Sequence, residues 1–166
     1  MTFVELLSHV FSGNNLAFLG AALATILPGL GSAKGVSLVG EASSGLLTEN
    51  PSMFGKALLL QALPGTQGIY GLITAFLIIF KTGALSAAPM HLDLGQGGYL
   101  LAAALPIAFV GYFSAIRQAR VAASGINLIA KRPDQVGKAI TSSALVETYA
   151  IFAVLISLLL VLFFKA

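Results

Sequence analysis

The chain carries four apolar stretches, Ala17 to Leu47, Phe54 to Phe80, Tyr99 to Ile129 and Gln135 to Phe164, each about 27 to 31 residues long. As helices they would run about 40 to 47 Å, longer than the roughly 30 Å hydrocarbon layer of a bilayer. A bilayer core offers no water to an unpaired amide, so stretches of this length fold as membrane-spanning helices that tilt or protrude. Composition agrees: 57% of residues are hydrophobic and only 9% charged, against roughly 25% charged in soluble domains. The breaks are punctuated by Thr48-Glu49-Asn50-Pro51-Ser52, by a loop over 81–98 containing Pro89, Asp93 and glycines, and by Lys131-Arg132-Pro133-Asp134. The expected fold is an all-α membrane protein with four transmembrane helices. Its parts are an N-terminal segment 1–16, a first helical hairpin 17–80, an extracytoplasmic loop 81–98 and a second hairpin 99–164.

Several functions are excluded by what the chain carries. It has no cysteine, hence no disulfide framework and no thiol-ligated metal, and its two histidines, His9 and His91, stand apart. The net charge of +3 does not form a nucleic-acid surface, because the basic residues are strung along segment ends without interleaved aromatics. Met1 to Gly13 contains Glu5 and no Lys or Arg, so it lacks the positive start of a signal peptide. Lys34, Lys56, Arg117, Arg120, Lys131, Arg132 and Lys138 flank the first and third connections, while Lys81 and Lys165 lie towards the other side. Basic residues collect on the cytoplasmic side, which puts both termini and the 81–98 loop outside.

The sequence repeats itself at a shift of 82 residues, as from Pro51 to Pro133. Pro51-Ser-Met-Phe-Gly-Lys-Ala57 overlays Pro133-Asp-Gln-Val-Gly-Lys-Ala139. Gly29, Ser32 and Ala33 meet Gly111, Ser114 and Ala115; Leu63, Thr66 and Ile69 meet Leu145, Thr148 and Ile151. A helical hairpin has been duplicated in tandem. Two crossings per copy give both halves the same orientation, unlike the inverted repeats common in secondary transporters.

Glu147 is the one acid near the middle of an apolar stretch. A charge at bilayer depth costs a few kcal/mol or more unless it is paired, so it marks a functional site. Its counterpart in the first copy is Gly65, so two hairpins share a single carboxylate. On the second helix Leu63, Thr66, Gln67 and Tyr70 recur at i, i+3, i+4 and i+7 and share one face. Pro64 lacks an N–H and disturbs the Leu60 carbonyl, which loosens backbone oxygens nearby. Gln118 adds an amide, but its neighbours Arg117 and Arg120 fit an aqueous boundary equally well. For Tyr70 and Tyr149, packing or hydrogen-bond capping is as good a reading as ligation. Oxygens of this kind replace the hydration shell of a hard cation such as Na⁺, whereas a proton needs the carboxylate alone.

Small residues recur at four-residue spacing on the first helix, Gly29, Ala33 and Ser37, and on the third, Gly111, Ala115, Ala119 and Ala123; Gly31 and Gly35 add another pair. Such spacing lets helix backbones approach closely in lipid. Helices one and three are therefore expected to pack tightest. Ordinary packing within a single four-helix monomer accounts for the spacing too, while its recurrence in both copies favours a ring with helices one and three as the inner wall and helices two and four outside.

Leu63-Pro-Gly-Thr-Gln-Gly-Ile-Tyr70, Leu105-Pro-Ile-Ala-Phe-Val-Gly111 and Leu145-Val-Glu-Thr-Tyr-Ala150, set in duplicated hairpins, resemble the K subunits of bacterial V-type rotary ATPases, the proteolipids of the membrane rotor ring. The resemblance spans about Leu19 to Leu162 and is strongest to the Na⁺-translocating branch. It implies a non-catalytic subunit in a homo-oligomeric ring in a bacterial cell membrane. That ring turns against a stator membrane subunit with an essential Arg and connects to a central stalk driven by ATP hydrolysis. It implies one Na⁺ per subunit, held by Glu147, Thr66, Gln67, Gln118 and the Leu63 carbonyl, with Tyr70 closing the site on the carboxylate. The same ring carrying H⁺ is an open alternative. A small secondary transporter with Glu147 as coupling site is a more remote one, and a structural or pore-forming bundle a third.

Overall fold

The structure, a computed structural model, describes Thr2 and residues 11–87 and 90–165. Most of the segment 1–16, with Glu5 and His9, lies outside the described residues, as does Pro89. The helices are α1 (Gly13–Glu49), α2 (Phe54–Ala62), α3 (Thr66–Lys81), α4 (Leu94–Lys131) and α5 (Val136–Leu162). Short 3₁₀ turns at Pro51–Met53, Leu63–Gly65 and Pro133–Gln135 join them into four crossings, each long and apolar enough to span a bilayer: α1, α2 with α3, α4, and α5. No strand occurs among the described residues.

Two helices start earlier than the hydropathy pattern indicates. α1 begins at Gly13 rather than Ala17, because Ser12 accepts a hydrogen bond from the Asn15 N–H. α4 begins at Leu94 rather than Tyr99: Asp93 accepts from the Gln96 N–H at 2.7 Å while the Gln96 side chain accepts from the Asp93 N–H at 3.0 Å. This reciprocal cap fixes the helix start inside a stretch too polar to show in hydropathy. The connecting loop is correspondingly shorter than 81–98, and Asn14 pins it by donating to the Met90 carbonyl and accepting from the Leu92 N–H.

α1 and α4 make the most extensive contact in the protein, as the small-residue spacing predicts. The face that makes it differs in part from the expected one. On α4, Gly111, Ala115 and Ala119 are buried. On α1 the buried line runs Gly20, Ala24, Gly31 and Gly35, whereas Ala33 and Ser37 are exposed and a Cβ on Gly29 would touch nothing within 4 Å. A Cβ on Gly31 would meet the Tyr112 carbonyl at 2.7 Å, and one on Gly20 would meet Leu101 Cα at 2.9 Å. Only glycine permits backbones this close.

The apolar core divides into two clusters. One joins Ala17, Ala24, Ile78, Leu100, Ile107 and Val161 near the end that holds Gly13, Leu92 and Phe164. The other joins Val39, Leu60, Ala119, Ile126 and Ala139 near the first and third connections, where Lys56 donates to the Pro133 carbonyl at 2.9 Å. Between them lies a polar layer.

Candidate ion-binding site

The layer is assembled from all four crossings. At the second, Pro64 and its neighbours form the 3₁₀ turn Leu63–Gly65, after which α3 restarts at Thr66. A restarted helix has first-turn N–H groups with no intrahelical acceptor, and the Ser32 hydroxyl of α1 accepts from one of them, Gly68 N–H, at 2.9 Å. The restart directs Gln67 fully inward, while Leu63, Thr66 and Tyr70 are half-buried and Tyr70 reaches α5. The Thr66 hydroxyl donates to the Leu63 carbonyl at 3.0 Å, so the two oxygens lie side by side. The duplicated pair does the same, Thr148 donating to the Leu145 carbonyl at 2.8 Å.

Glu147 stands on α5, half-buried, and two donors hold its carboxylate. Tyr70 Oη donates to Oε1 at 2.6 Å, and Gln118 Nε2 donates to Oε2 at 3.2 Å. The short phenol contact has the length of a charge-assisted bond. Gln118 is wholly buried, so the aqueous-boundary reading of this residue is set aside. The physical reason is helical: neighbours one or two positions along point about 100° or 200° away, and Arg117 and Arg120 are exposed while Gln118 faces inward. Gln67 Nε2 donates to Gln118 Oε1 at 2.6 Å and to Ser114 Oγ at 3.4 Å. The Gln118 amide thus turns its N–H to the carboxylate and its oxygen to Gln67. Tyr149, two residues beyond the carboxylate, is exposed and outside this network.

Gln67 Oε1 is, among the described residues, the one buried side-chain polar atom without a hydrogen-bond partner. An unsatisfied buried acceptor costs about 1–3 kcal/mol, so an oxygen in this position fits a cation ligand better than a packing group.

Two further hydroxyls join the layer, and the sequence pattern does not single them out. Ser114 accepts from Gln67 and donates to the Val146 carbonyl at 3.1 Å, tying α4 to α5 beside Glu147. Ser143 donates to the Gln118 carbonyl at 3.4 Å. The usable signal for Ser114 is its overlay on Ser32, since both place a hydroxyl at mid-depth in the first crossing of a hairpin. Ser143 carries no such signal.

Two stretches, residues 19–78 and 101–160, match the family of the ATP synthase C subunit. Their starts and ends differ by the same 82 residues that the internal overlay gives. The chain is 51% identical over 150 residues, 90% of its length and 92% of the relative's, to the V-type sodium ATPase subunit K of Enterococcus hirae. It is 39% identical, over 87% of its length and 61% of the relative's, to the A-type ATP synthase subunit K of Methanocaldococcus jannaschii. It is 30% identical, over 78% of its length and 79% of the relative's, to a 16 kDa proteolipid of the V-type proton ATPase of Caenorhabditis briggsae.

Proposed function

Because the chain belongs to the ATP synthase C-subunit family, we propose that it is the ion-carrying rotor-ring subunit of a V-type ATPase and that each copy carries one Na⁺ as cargo at Glu147. The ligands in this reading are the Glu147 carboxylate, Gln67 Oε1, Thr66 Oγ1 and the Leu63 carbonyl. A half-turn of the Gln118 amide adds its oxygen. Tyr70 holds the carboxylate in place. The observation that carries the choice of Na⁺ over H⁺ is the unpartnered Gln67 Oε1 beside the carboxylate network: a proton on Glu147 leaves that oxygen orphaned, and a cation does not. The sodium ATPase relative supports the same choice.

Transport follows from charge. With Na⁺ bound, Glu147 is neutral and can pass the lipid face of the ring; emptied, it has to remain in a polar half-channel opposite a stator cation, an Arg on the membrane stator subunit. The half-burial of Glu147 leaves the carboxylate reachable from the protomer's flank. Two hairpins per carboxylate mean fewer ions per turn than in a ring of single hairpins. Each ion can then be driven against a steeper gradient, at about 2.3 kcal/mol per charge per 100 mV, which suits a pump driven by ATP through a central stalk. The distribution of basic residues supports an orientation with both termini outside the cell.

The test removes cation ligands and spares the carboxylate. Thr66→Ala combined with Gln67→Leu weakens Na⁺ binding to the purified oligomer by about a hundredfold while proton uptake changes a few-fold at most, the loss of two ligands at about 1–2 kcal/mol each. Equal effects on both ions would make this a proton site. Tyr70→Phe removes one charge-assisted bond and lowers Na⁺ affinity about tenfold, seen as faster release of radiolabelled Na⁺.

A further inference from the structure

Inside the chain the positions through which the first hairpin meets the second include Gly31 and Gly35, with Pro64 packed against Gly35, and Gln67. A Cβ on Gly35 would lie 2.8 Å from Pro64 Cβ, 3.1 Å from the Ala115 carbonyl and 3.2 Å from Ala119 Cβ. The 82-residue shift carries these four onto Phe113, Arg117, Val146 and Tyr149. All four line a single open groove of about 490 Å³ on α4 and α5, with Phe113 and Tyr149 exposed by 59% and 66%. The residues that fill the internal contact, Gly111, Ala115 and Ala119, correspond by the same shift to Gly29, Ala33 and Ser37 on α1. In that stripe Ala33 and Ser37 are exposed, and a Cβ on Gly29 would meet nothing within 4 Å. The chain therefore holds one closed contact between its halves and, on its two outer flanks, the two open halves of another.

We propose that the α4–α5 groove takes the Gly29–Ala33–Ser37 stripe of a second copy of this chain, with Glu41 of that copy paired to Arg117. The proposal rests on the ring reading and adds which faces join and what charge locks them. The open contact differs from the closed one by a complementary pair of charges. Where the internal contact has Gly35 and Ala123, the shift places Arg117 and Glu41. Gly35 sits beside Ala119, one helical turn from Ala123, so Arg117 sits beside Ser37 and one turn, about 5.4 Å of rise, from Glu41 of the next copy. An arginine side chain spans that distance. Both residues are exposed, and neither makes an ion pair within the protomer among the described residues. A pair of opposite charges formed at one register opposes slippage to any other.

Because the chain has no native cysteine, Arg117→Cys with Ser37→Cys tests the contact directly. Their internal counterparts put the Gly35 and Ala119 Cβ positions 3.2 Å apart, close to the roughly 3.5–4.5 Å of a disulfide. Oxidised membranes carrying both substitutions are expected to give a ladder of covalent oligomers on denaturing gels, and each single substitution none. A second arm leaves the apolar contact intact. Glu41→Arg and Arg117→Glu each raise the monomer-to-oligomer ratio at a fixed dodecyl sulfate concentration about tenfold, and the combined swap returns it to within about twofold of the parent. A full-size oligomer by native mass spectrometry, with no ladder and no rescue by the swap, overturns the proposal and leaves the ring reading standing. A parent chain that is monomeric in the same assay overturns both.

Discussion

Replacing Glu147 by Gln is expected to abolish Na⁺ transport and ion-coupled ATPase activity while the ring still assembles. The substitution keeps the shape of the side chain and an oxygen to accept from Tyr70, whose hydroxyl lies 2.6 Å from Glu147 Oε1. It removes the one negative charge in the layer. A cation stripped of water in a low-dielectric site and left without its counter-charge loses about 3–5 kcal/mol, or about a hundred- to a few-thousand-fold in affinity. In the proposed mechanism a side chain neutral in every state also has nothing to discharge at a stator, so rotation would no longer select a direction. Assembly is spared because the helix contacts sit elsewhere, at Gly20, Gly31, Gly35 and Gly71. Transport assays in vesicles alongside native mass spectrometry check both halves of the expectation. Retained transport would remove Glu147 from the mechanism.

Gly71→Ala is expected to act in the opposite sense, destroying the assembled protein without touching an ion ligand. A Cβ at Gly71 would run into the Ala24 carbonyl oxygen and stand 2.9 Å from Pro28 Cγ. Neither neighbour is the far end of a flexible side chain. One is helix backbone and the other a proline ring, so α3 has to move bodily away from α1. Overpacking typically costs about 1–3 kcal/mol and occasionally more; a backbone oxygen as the obstacle puts this site at the upper end, and the displaced α3 carries Thr66, Gln67 and Tyr70 with it. The measurable result is loss of detergent-resistant oligomer and of Na⁺ binding together. Gly55→Ala serves as the control, because a Cβ there meets nothing within 4 Å and both properties should survive.

Much of this architecture is legible in the residues because the signals are periodic. Four apolar runs give four crossings, and the overlay of Pro51 on Pro133 gives the register of the duplication. The i, i+3, i+4, i+7 spacing brings Thr66, Gln67 and Tyr70 to one face, and Glu147 stands out because charge is rare at depth. What stays hidden depends on direction. Gln118 sits between two arginines in sequence but not in space, and only the helix's rotation separates its buried side from theirs. The first helix carries two small-residue stripes, and spacing alone does not say which one meets α4; Gly31 and Gly35 do, while Ala33 and Ser37 face out. The start of α4 hides inside a polar loop because Asp93 reads as a loop acid until Gln96 is seen to complete its cap. Ser143 joins the polar layer only through tertiary contact.

The most direct test of a Na⁺ site at Glu147 is equilibrium binding of radiolabelled Na⁺ to the purified oligomer across a pH series, in the parent chain and in Glu147→Gln. The expected result is saturable binding of one Na⁺ per chain, displaced competitively as protons are added, and absent from the variant. Binding that is unsaturable in the parent, or that persists undiminished in Glu147→Gln, would contradict a Na⁺ site built on this carboxylate.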